Sequence, residues 1–588
     1  MKFFVNCFFL LAPAAVCLGS AGDKLSPEGV GGTPVSNISA ECRNGQVFLT
    51  WDEPAGNSDN LRVYMSDEQI TALSIDKAVL LTADVEPNSG HDWLTDPAMC
   101  PRATGPARGW IIEQGAAPLS DNSGLFVHTV GENDPKKAFF AVLGGKEQFS
   151  AIQAGVNSLE TPVEISAGEV QAISQSAETI AFKKNMPLVL YLHPHTSRPP
   201  GELTHLFFAD KTMGWREGLP FKFKVSVEEG VILVEPYDRV WINRKPGPGE
   251  TTQSYDRQYK NIESWWYGTS DAIGNPEKLA AGVPTNYTER ILVWIIGWVQ
   301  KTYQTDPNRV YGFGVSMGTG IQRFALHNPG LFASIDVLVP ILDLKYEIEL
   351  EEGNIKRKVA ALGPLEKISS DGMPLAERFN LVDIVCTTEN ELPFMIVRVG
   401  RQDFSVGWKR KPDYIRCMQE RHHGILAAWD NKDHVTSMRD TTDPWFPEFR
   451  DYKWYTERFA LNKSYPAFSN FSLNDNIGSG ARADGDLTGF INYGLDWDII
   501  KDKESRYEAV IKTGYIKSAG ATVDITPRRT QLFKPKPGSK VMACNQDMNG
   551  KVIEKKTLTV DARGDITYEK FALTNKTGHK LTLVVNNQ

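Results

Sequence analysis

The sequence of 588 residues holds only seven cysteines, and none stands in a Cys-x-x-Cys pair. Zinc ribbons and thioredoxin-type redox chemistry need two thiols at that spacing, so neither is expected. After residue 21 no apolar run reaches eighteen residues, and no helix is expected to span a bilayer. Positive charge is not in excess either: 64 Lys and Arg face 72 Asp and Glu, giving a net charge of −8 and a pI near 5.8. Without a basic stripe interleaved with aromatics, nucleic acid is not an expected partner. There is also no internal repeat of fixed period and no low-complexity tract longer than a linker. What remains is a globular composition, 41% hydrophobic, 10% aromatic and 23% charged. That range excludes wholesale disorder, and the length exceeds one ordinary core.

The chain opens with Lys2, an apolar run from Phe3 to Val16, and the small residues Gly19-Ser20-Ala21. This order reads as an export signal cleaved after Ala21, and it makes the protein an expected secreted one, extracellular or periplasmic. A lipoprotein signal would use Cys17, but Val16 is a poor residue to precede a lipidated cysteine. Without residues 1–21 five cysteines remain: Cys42, Cys100, Cys386, Cys417 and Cys544. In an oxidising compartment the sequence-local pairings are Cys42 with Cys100 and Cys386 with Cys417, and five buried thiols are the open alternative. Asn-x-Ser/Thr sequons begin at Asn37, Asn286, Asn462, Asn470 and Asn575, and they matter only in a eukaryotic secretory host.

A Gly/Pro-rich stretch from Gly29 to Pro34 leads into strand-like text. Gln46 to Trp51 alternates with period two, Asn60 to Met65 repeats the alternation, and Phe139 to Leu143 runs into the turn Gly144-Gly145. With Trp51, the Arg62-Val63-Tyr64 strand and the closing aromatic strand, residues 34–160 resemble a fibronectin type III domain. The resemblance implies a β-sandwich serving as spacer or substrate-docking module. A second β-sandwich is expected over 466–588, from the strands Thr522–Thr526, Thr557–Val560 and Lys580–Val585. Within it Asp484-Gly485-Asp486 lacks the spacing of a calcium loop and reads as a turn.

Between these, residues 165–465 carry six short apolar runs separated by helical segments: Leu188–Leu192, Val231–Val234, Val310–Phe313, Ile335–Val339, Phe394–Val399 and Ile425–Trp429. Such runs are the signature of an α/β fold whose parallel sheet is covered on both faces by helices, a doubly wound arrangement. Ile291, Trp294, Ile295 and Trp298 recur at helical spacing before the third run, a core face rather than a ligand platform.

The strongest motif is Gly314-Val315-Ser316-Met317-Gly318, with a strand before it, a helix after it and Asn328-Pro329-Gly330 ending that helix. A serine on so tight a strand-to-helix turn needs small residues two positions before and after. At these residues, and across Asp306 to Ala333, the chain resembles the α/β-hydrolases of the secreted feruloyl esterase, polyhydroxyalkanoate depolymerase and prolyl-oligopeptidase-like type. The resemblance implies the chain order nucleophile, acid, base. Asp403, in Gly400-Arg401-Gln402-Asp403-Phe404-Ser405-Val406, stands where the acid belongs, and His434 follows the next strand as the base. Asp430 and Asp433 are too close to His434 in sequence to be preferred as its orienter, and His422-His423 precede the last strand at its wrong end. The oxyanion hole is expected from the Met317 N–H and a second donor, His195 or Thr196, in the loop that starts at His193 after the third strand. His193 and His195 lack a third metal ligand at recognisable spacing, so neither metal nor other cofactor is expected. Trp265 and Trp266 lie in a long insertion, where a platform for a sugar or phenolic ring and a packed core are equal readings.

The expected activity is that of a secreted serine carboxylic-ester hydrolase acting through an acyl-enzyme. The flanking sandwiches and the export signal favour an external polymer, an acylated polysaccharide or a polyester, since tethering raises the local concentration of ester bonds. On that reading residues 165–465 alone keep turnover on a soluble ester. A serine peptidase of prolyl-oligopeptidase-like type and a surface-binding protein without catalysis are the alternatives.

Overall fold

The computed structural model describes residues 35–54, 59–92, 95–96, 106–145, 147–193, 204–238, 264–273, 278, 281–349, 360–434, 446–515 and 520–585. The export signal, Cys100, His195 and Thr196 lie outside them.

A ten-stranded sheet organises the chain. Its main strands are β1 (Leu188–Leu192), β2 (Thr204–Ala209), β3 (Leu219–Glu228), β4 (Val231–Pro236), β5 (Val310–Val315), β6 (Ser334–Leu338), β7 (Phe394–Gly400) and β8 (Ile425–Asp430). The spatial order is β2-β3-β4-β1-β5-β6-β7-β8, edged by Ile173–Ser174 on one side and Gly489–Ile491 on the other. All six expected runs are neighbours here, and from β4 to β8 every pair is parallel. The strand before His193 departs from expectation in one respect. It occupies the place beside the nucleophile strand, but it is the first long strand of the sheet in chain order. β2 and β3 follow it and return to β4 through antiparallel hairpins, so a hairpin fills part of the crossover where a helix would be expected. The β3–β4 turn, Glu229-Gly230, has both residues at positive φ (46° and 86°), the geometry that matches strand twist in a two-residue hairpin.

Side chains alternate across the sheet and build two different cores. Leu188, Leu190 and Leu192 of β1, with Met395, Val397 and Val399 of β7, face four helices. These are α1 (Tyr287–Tyr303), α2 (Gly320–His327), α3 (Leu381–Thr387) and α4 (Arg410–Glu420). A disulfide between Cys386 and Cys417 staples α3 to α4, while Cys42 and Cys544 are free thiols.

The opposite face corrects the expectation of helices on both sides. Val189, Leu233, Tyr311, Phe313, Phe394 and Leu426 meet a short helix, α5 (Tyr452–Arg458), and then the C-terminal strands, with Tyr465, Phe468, Trp497 and Tyr507 in one continuous core. Those strands form a three-stranded and a five-stranded sheet. The described residues after 466 therefore complete, with α5, the second cover of the central sheet, and Gly489–Ile491 joins its edge antiparallel to β8. A cut at 465/466 passes through a packed interface rather than a linker.

At the N-terminus Ser36–Arg43, Gln46–Asp52 and Ser123–Thr129 form one sheet, and Leu61–Ser66, Val79–Val85, Lys137–Gly144 and Val163–Glu164 another. Their common core includes Trp51, Val63 and Phe140. This unit is docked: Phe48 and Val127 pack on Leu206 and Phe208 of β2, and Gln46 Nε2 donates to the Phe208 carbonyl at 2.9 Å.

Two buried histidines make stability pH-dependent. Burial pushes His205 down to about 4 and His423 to about 3, the latter also through Arg528, Arg421 and Arg563. Unfolded rings titrate near 6.5, so as pH falls below that value the unfolded state gains protons that the folded state refuses. Stability is full above pH ~6.5 and is lost as pH falls towards those folded values, at about 1.4 kcal/mol per pH unit and ring. Urea midpoints should drop between pH 7.5 and pH 5, and the drop should shrink in His423→Asn. An unchanged drop in that variant would remove His423 from the account.

Candidate active site

Ser316 follows the last residue of β5 and opens the turn that becomes α2. Its φ is +55°, a left-handed value that a side-chain-bearing residue adopts only when its surroundings impose it. The neighbouring glycines show what imposes it. A Cβ on Gly314 would lie 2.1 Å from the Gly318 carbonyl oxygen, and one on Gly318 would lie 1.9 Å from the Leu192 carbonyl oxygen. The turn is thus pressed against the end of β1. Gly318→Ala should shift the Ser316 side chain and lower turnover about 100-fold in whatever protein folds, measurable as kcat on a soluble ester. Unaltered kcat would show that the close approach is not needed.

β7 and β8 hold the other two residues side by side. Their ladder continues past the strands, with Arg401 N–H on the Asp430 carbonyl (2.8 Å) and Gln402 N–H on the Lys432 carbonyl (3.1 Å). Asp403 and His434 therefore project from adjacent loops at the C-terminal edge of the sheet, the same edge as Ser316. Ser316 Oγ lies 2.7 Å from His434 Nε2, and His434 Nδ1 lies 2.6 Å from Asp403 Oδ2. Asp403 is buried, and its second oxygen accepts the N–H groups of Ser405 (2.8 Å) and Val406 (3.1 Å), which fix the carboxylate plane. The His434 side chain is 22% exposed, so the middle of the relay reaches solvent while its acid end does not. With Nδ1–H donating to Asp403, Nε2 is left to accept the Ser316 proton.

The other histidines and acids fall elsewhere. His422 and His423 stand at the opposite end of β8, where His423 is buried. Asp336, pushed up to about 6 by burial and opposed by Arg398 and Tyr455, belongs to the core on the other face. His193 Nε2 pairs with Glu235 Oε1 at 2.8 Å. Among the described residues there is no cluster of His, Cys, Asp and Glu fit to hold a metal. Asp484 and Asp486 accept the N–H groups of Ser479 (2.7 Å) and Asn476 (2.8 Å), and Gly485 takes φ +82°, which makes this segment a turn.

Met317 is buried within the turn, where its N–H is the expected oxyanion donor. The second donor, His195 or Thr196, lies outside the described residues. Trp265 and Trp266 correct the platform reading: they are 5% and 0% exposed and belong to the helical-side core. A Cβ on Gly320 would lie 2.9 Å from both the Trp265 carbonyl oxygen and Trp266 Cβ, so the pair is packed beneath the start of α2. No ring face is left for a ligand.

Two supports escaped the sequence reading. Arg323 of α2 donates to Glu289 (3.1 Å) and to the Trp265 carbonyl (3.1 Å), and Arg378 binds the same Glu289, all three side chains buried. A charged residue on a short helix whose Ile321, Phe324, Ala325 and Leu326 are apolar was the available signal. Arg401 is fully buried and donates to the carbonyls of Arg482, Asp484 (2.9 Å) and Asp486 (2.6 Å), while Arg482 donates back to the carbonyls of Arg401 and Asp403 (both 3.1 Å). The C-terminal unit thereby holds the acid loop. Nothing local in the sequence signals that long-range contact.

No family model matches the chain, and no curated protein matches it. Among solved structures, an S-formylglutathione hydrolase from Agrobacterium tumefaciens is 16% identical with a TM-score of 0.28, covering 45% of this chain and 87% of that one. An acylaminoacyl peptidase from Pyrococcus horikoshii is 11% identical with a TM-score of 0.28, covering 68% of this chain and 52% of its own. Oligopeptidase B from Leishmania major is 11% identical with a TM-score of 0.29, covering 71% of this chain and 64% of its own. The strand order, the elbow at Ser316 and the Ser316–His434–Asp403 chain are properties of this molecule independent of those likenesses.

Proposed function

We propose that the protein is a serine hydrolase of α/β-hydrolase type that cleaves carboxylic esters through an acyl-enzyme. The observation that carries this reading is the continuous relay from Ser316 through His434 to buried Asp403, with Ser316 held at φ +55°. His434 Nε2 takes the hydroxyl proton as Ser316 Oγ adds to the ester carbonyl carbon. The carbonyl π electrons move to oxygen, and the oxyanion is met by the Met317 N–H. Collapse of the tetrahedral species breaks the bond to the alcohol oxygen, which leaves with the proton from His434. Water then repeats the sequence: His434 takes its proton, the acid is formed and Ser316 Oγ is restored. Asp403 holds the imidazole in the tautomer that accepts from serine and stabilises the imidazolium between the two transfers.

The esterase side of the sequence resemblance favours esters over amides. The N-terminal unit is read as a fibronectin type III-like sandwich, supported by its three and four strands around Trp51. Export remains part of the proposal, resting on residues 1–21. The polymer reading no longer rests on tethering, because both flanking units are packed on the central sheet. A panel of p-nitrophenyl esters and peptide p-nitroanilides tests the assignment: ester turnover with little amide turnover is expected. Faster amide turnover would make the protein a peptidase, and turnover of neither would favour a binding protein.

A further inference from the structure

The turn that presents the Met317 N–H rests on the end of β1. A Cβ built on Gly318 would lie 1.9 Å from the Leu192 carbonyl oxygen and 3.0 Å from the His193 carbonyl carbon, so the backbone at His193 forms part of the wall against which the turn is pressed. Whatever fixes His193 also fixes that wall.

The side chain of His193 is held from β4. Its Nε2 donates to Glu235 Oε1 at 2.8 Å, and its ring lies 4.3 Å from the ring of Tyr191. Pairing of Leu233 with Val189 and of Val234 with Leu190 brings Glu235 level with Tyr191, on the face of the sheet turned away from α1 to α4. Two cations face the same carboxylate. Lys224, its cross-strand neighbour on β3, lies 3.7 Å away, and Arg450, stacked 4.6 Å from the Tyr191 ring, acts on it through its charge. Burial pushes the Glu235 carboxyl up, but the hydrogen bond and charge of His193, with Lys224 and Arg450, outweigh it and hold the group below the usual carboxylate range. Glu235 is therefore an ionised acceptor at neutral pH.

The two side chains are 34% and 15% exposed, and an ion pair that meets water contributes little to stability. Its place beside the turn gives it a larger lever on rate. A shift of about 1 Å in a group that must meet the transition state costs about 100-fold, and an oxyanion donor is such a group. We infer that Glu235 is a positioning residue: through His193 it holds the end of β1 against Gly318, and so keeps the Met317 N–H where the oxyanion forms. This role rests on the hydrolase reading of Ser316.

Steady-state kinetics of the full-length protein on p-nitrophenyl acetate test it. Glu235→Ala and His193→Ala should each lower kcat about 30-fold with KM within about threefold, and the double variant should fall no further, because both changes break one link. Glu235→Gln should keep most of kcat, since its amide oxygen still accepts from His193 Nε2. Affinity for a trifluoromethyl ketone, which forms the same oxyanion on Ser316, should fall by the factor lost in kcat/KM. A merely structural pair would lower the thermal midpoint without moving that affinity. Should Glu235→Ala fail to fold, His193→Ala and Glu235→Gln decide, the first on a side chain one third exposed. Unchanged kcat in His193→Ala, losses that multiply in the double variant, a Glu235→Gln as slow as Glu235→Ala, or inhibitor affinity that stays constant while kcat falls would overturn the role. Wild-type protein with no turnover that Ser316→Ala abolishes would instead overturn the hydrolase reading itself, so the two failures are told apart.

Discussion

Turnover of p-nitrophenyl acetate is expected to fall by about 10⁶-fold in Ser316→Ala and by about 10⁴-fold in Asp403→Asn. The two losses differ in kind. Alanine removes the nucleophile, leaving whatever water can do in the pocket. Asparagine keeps the shape of the acid and, with its amide nitrogen turned to His434, makes Nδ1 the acceptor and Nε2 the protonated nitrogen, so that the ring cannot take the Ser316 proton. Two backbone N–H groups, from Ser405 and Val406, already bind the outer oxygen of Asp403. That contact fixes which end of the asparagine must point outward: the carbonyl oxygen, with the amide towards His434. A loss below about tenfold in Asp403→Asn would mean that His434 is oriented by something other than Asp403.

The second large effect is on folding. Removal of residues 466–588 is expected to leave no folded catalytic unit, which reverses the sequence-based expectation for residues 165–465. α5 stays, but the cut removes Phe468, Trp497 and Tyr507 from the core they share with Phe394, Ile396 and Leu426, so six side chains lose burial. At about 2 kcal/mol for each such side chain, roughly 12 kcal/mol is at stake, as much as a typical protein's whole net stability. It also removes the loop whose carbonyls bind Arg401, so a chain that did collapse would have lost the clamp on its acid loop. Soluble, cooperatively unfolding 165–465 with ester turnover would contradict the packing described here, and circular dichroism with urea titration decides between the outcomes.

How far the fold could be read in advance depended on whether the deciding interaction was local. The six parallel strands were legible because each is an apolar run bounded by turn residues, and the Ser316 elbow because a tight turn restricts its neighbours to glycine. Asp403 and His434 were legible as loop residues at strand ends, since strand order brings those loops together. Strand adjacency was not legible. Phe221, Phe223 and Val225 alternate with Lys222, Lys224 and Ser226, which marks a strand, yet its insertion between β2 and β4 depends on pairing partners that no local pattern names. The second cover was hidden for a similar reason: Tyr465, Trp497 and Tyr507 would read the same facing their own sheets or the central one. Trp265 and Trp266 were ambiguous because an aromatic pair in an insertion has one appearance whether exposed or buried. What decided it was a turn with both at positive φ (53° and 59°), pinned by Asp238 accepting the N–H groups of Ser264 and Trp266.

The central claim is that Ser316 is a nucleophile activated by His434, and covalent labelling addresses it most directly. Full-length protein treated with a fluorophosphonate probe, digested and read by mass spectrometry should carry one adduct, on the Ser316 peptide. Labelling should be absent in Ser316→Ala and slowed at least about 100-fold in His434→Ala, where the base is gone. An adduct on another residue, or labelling that persists in Ser316→Ala, would contradict the account.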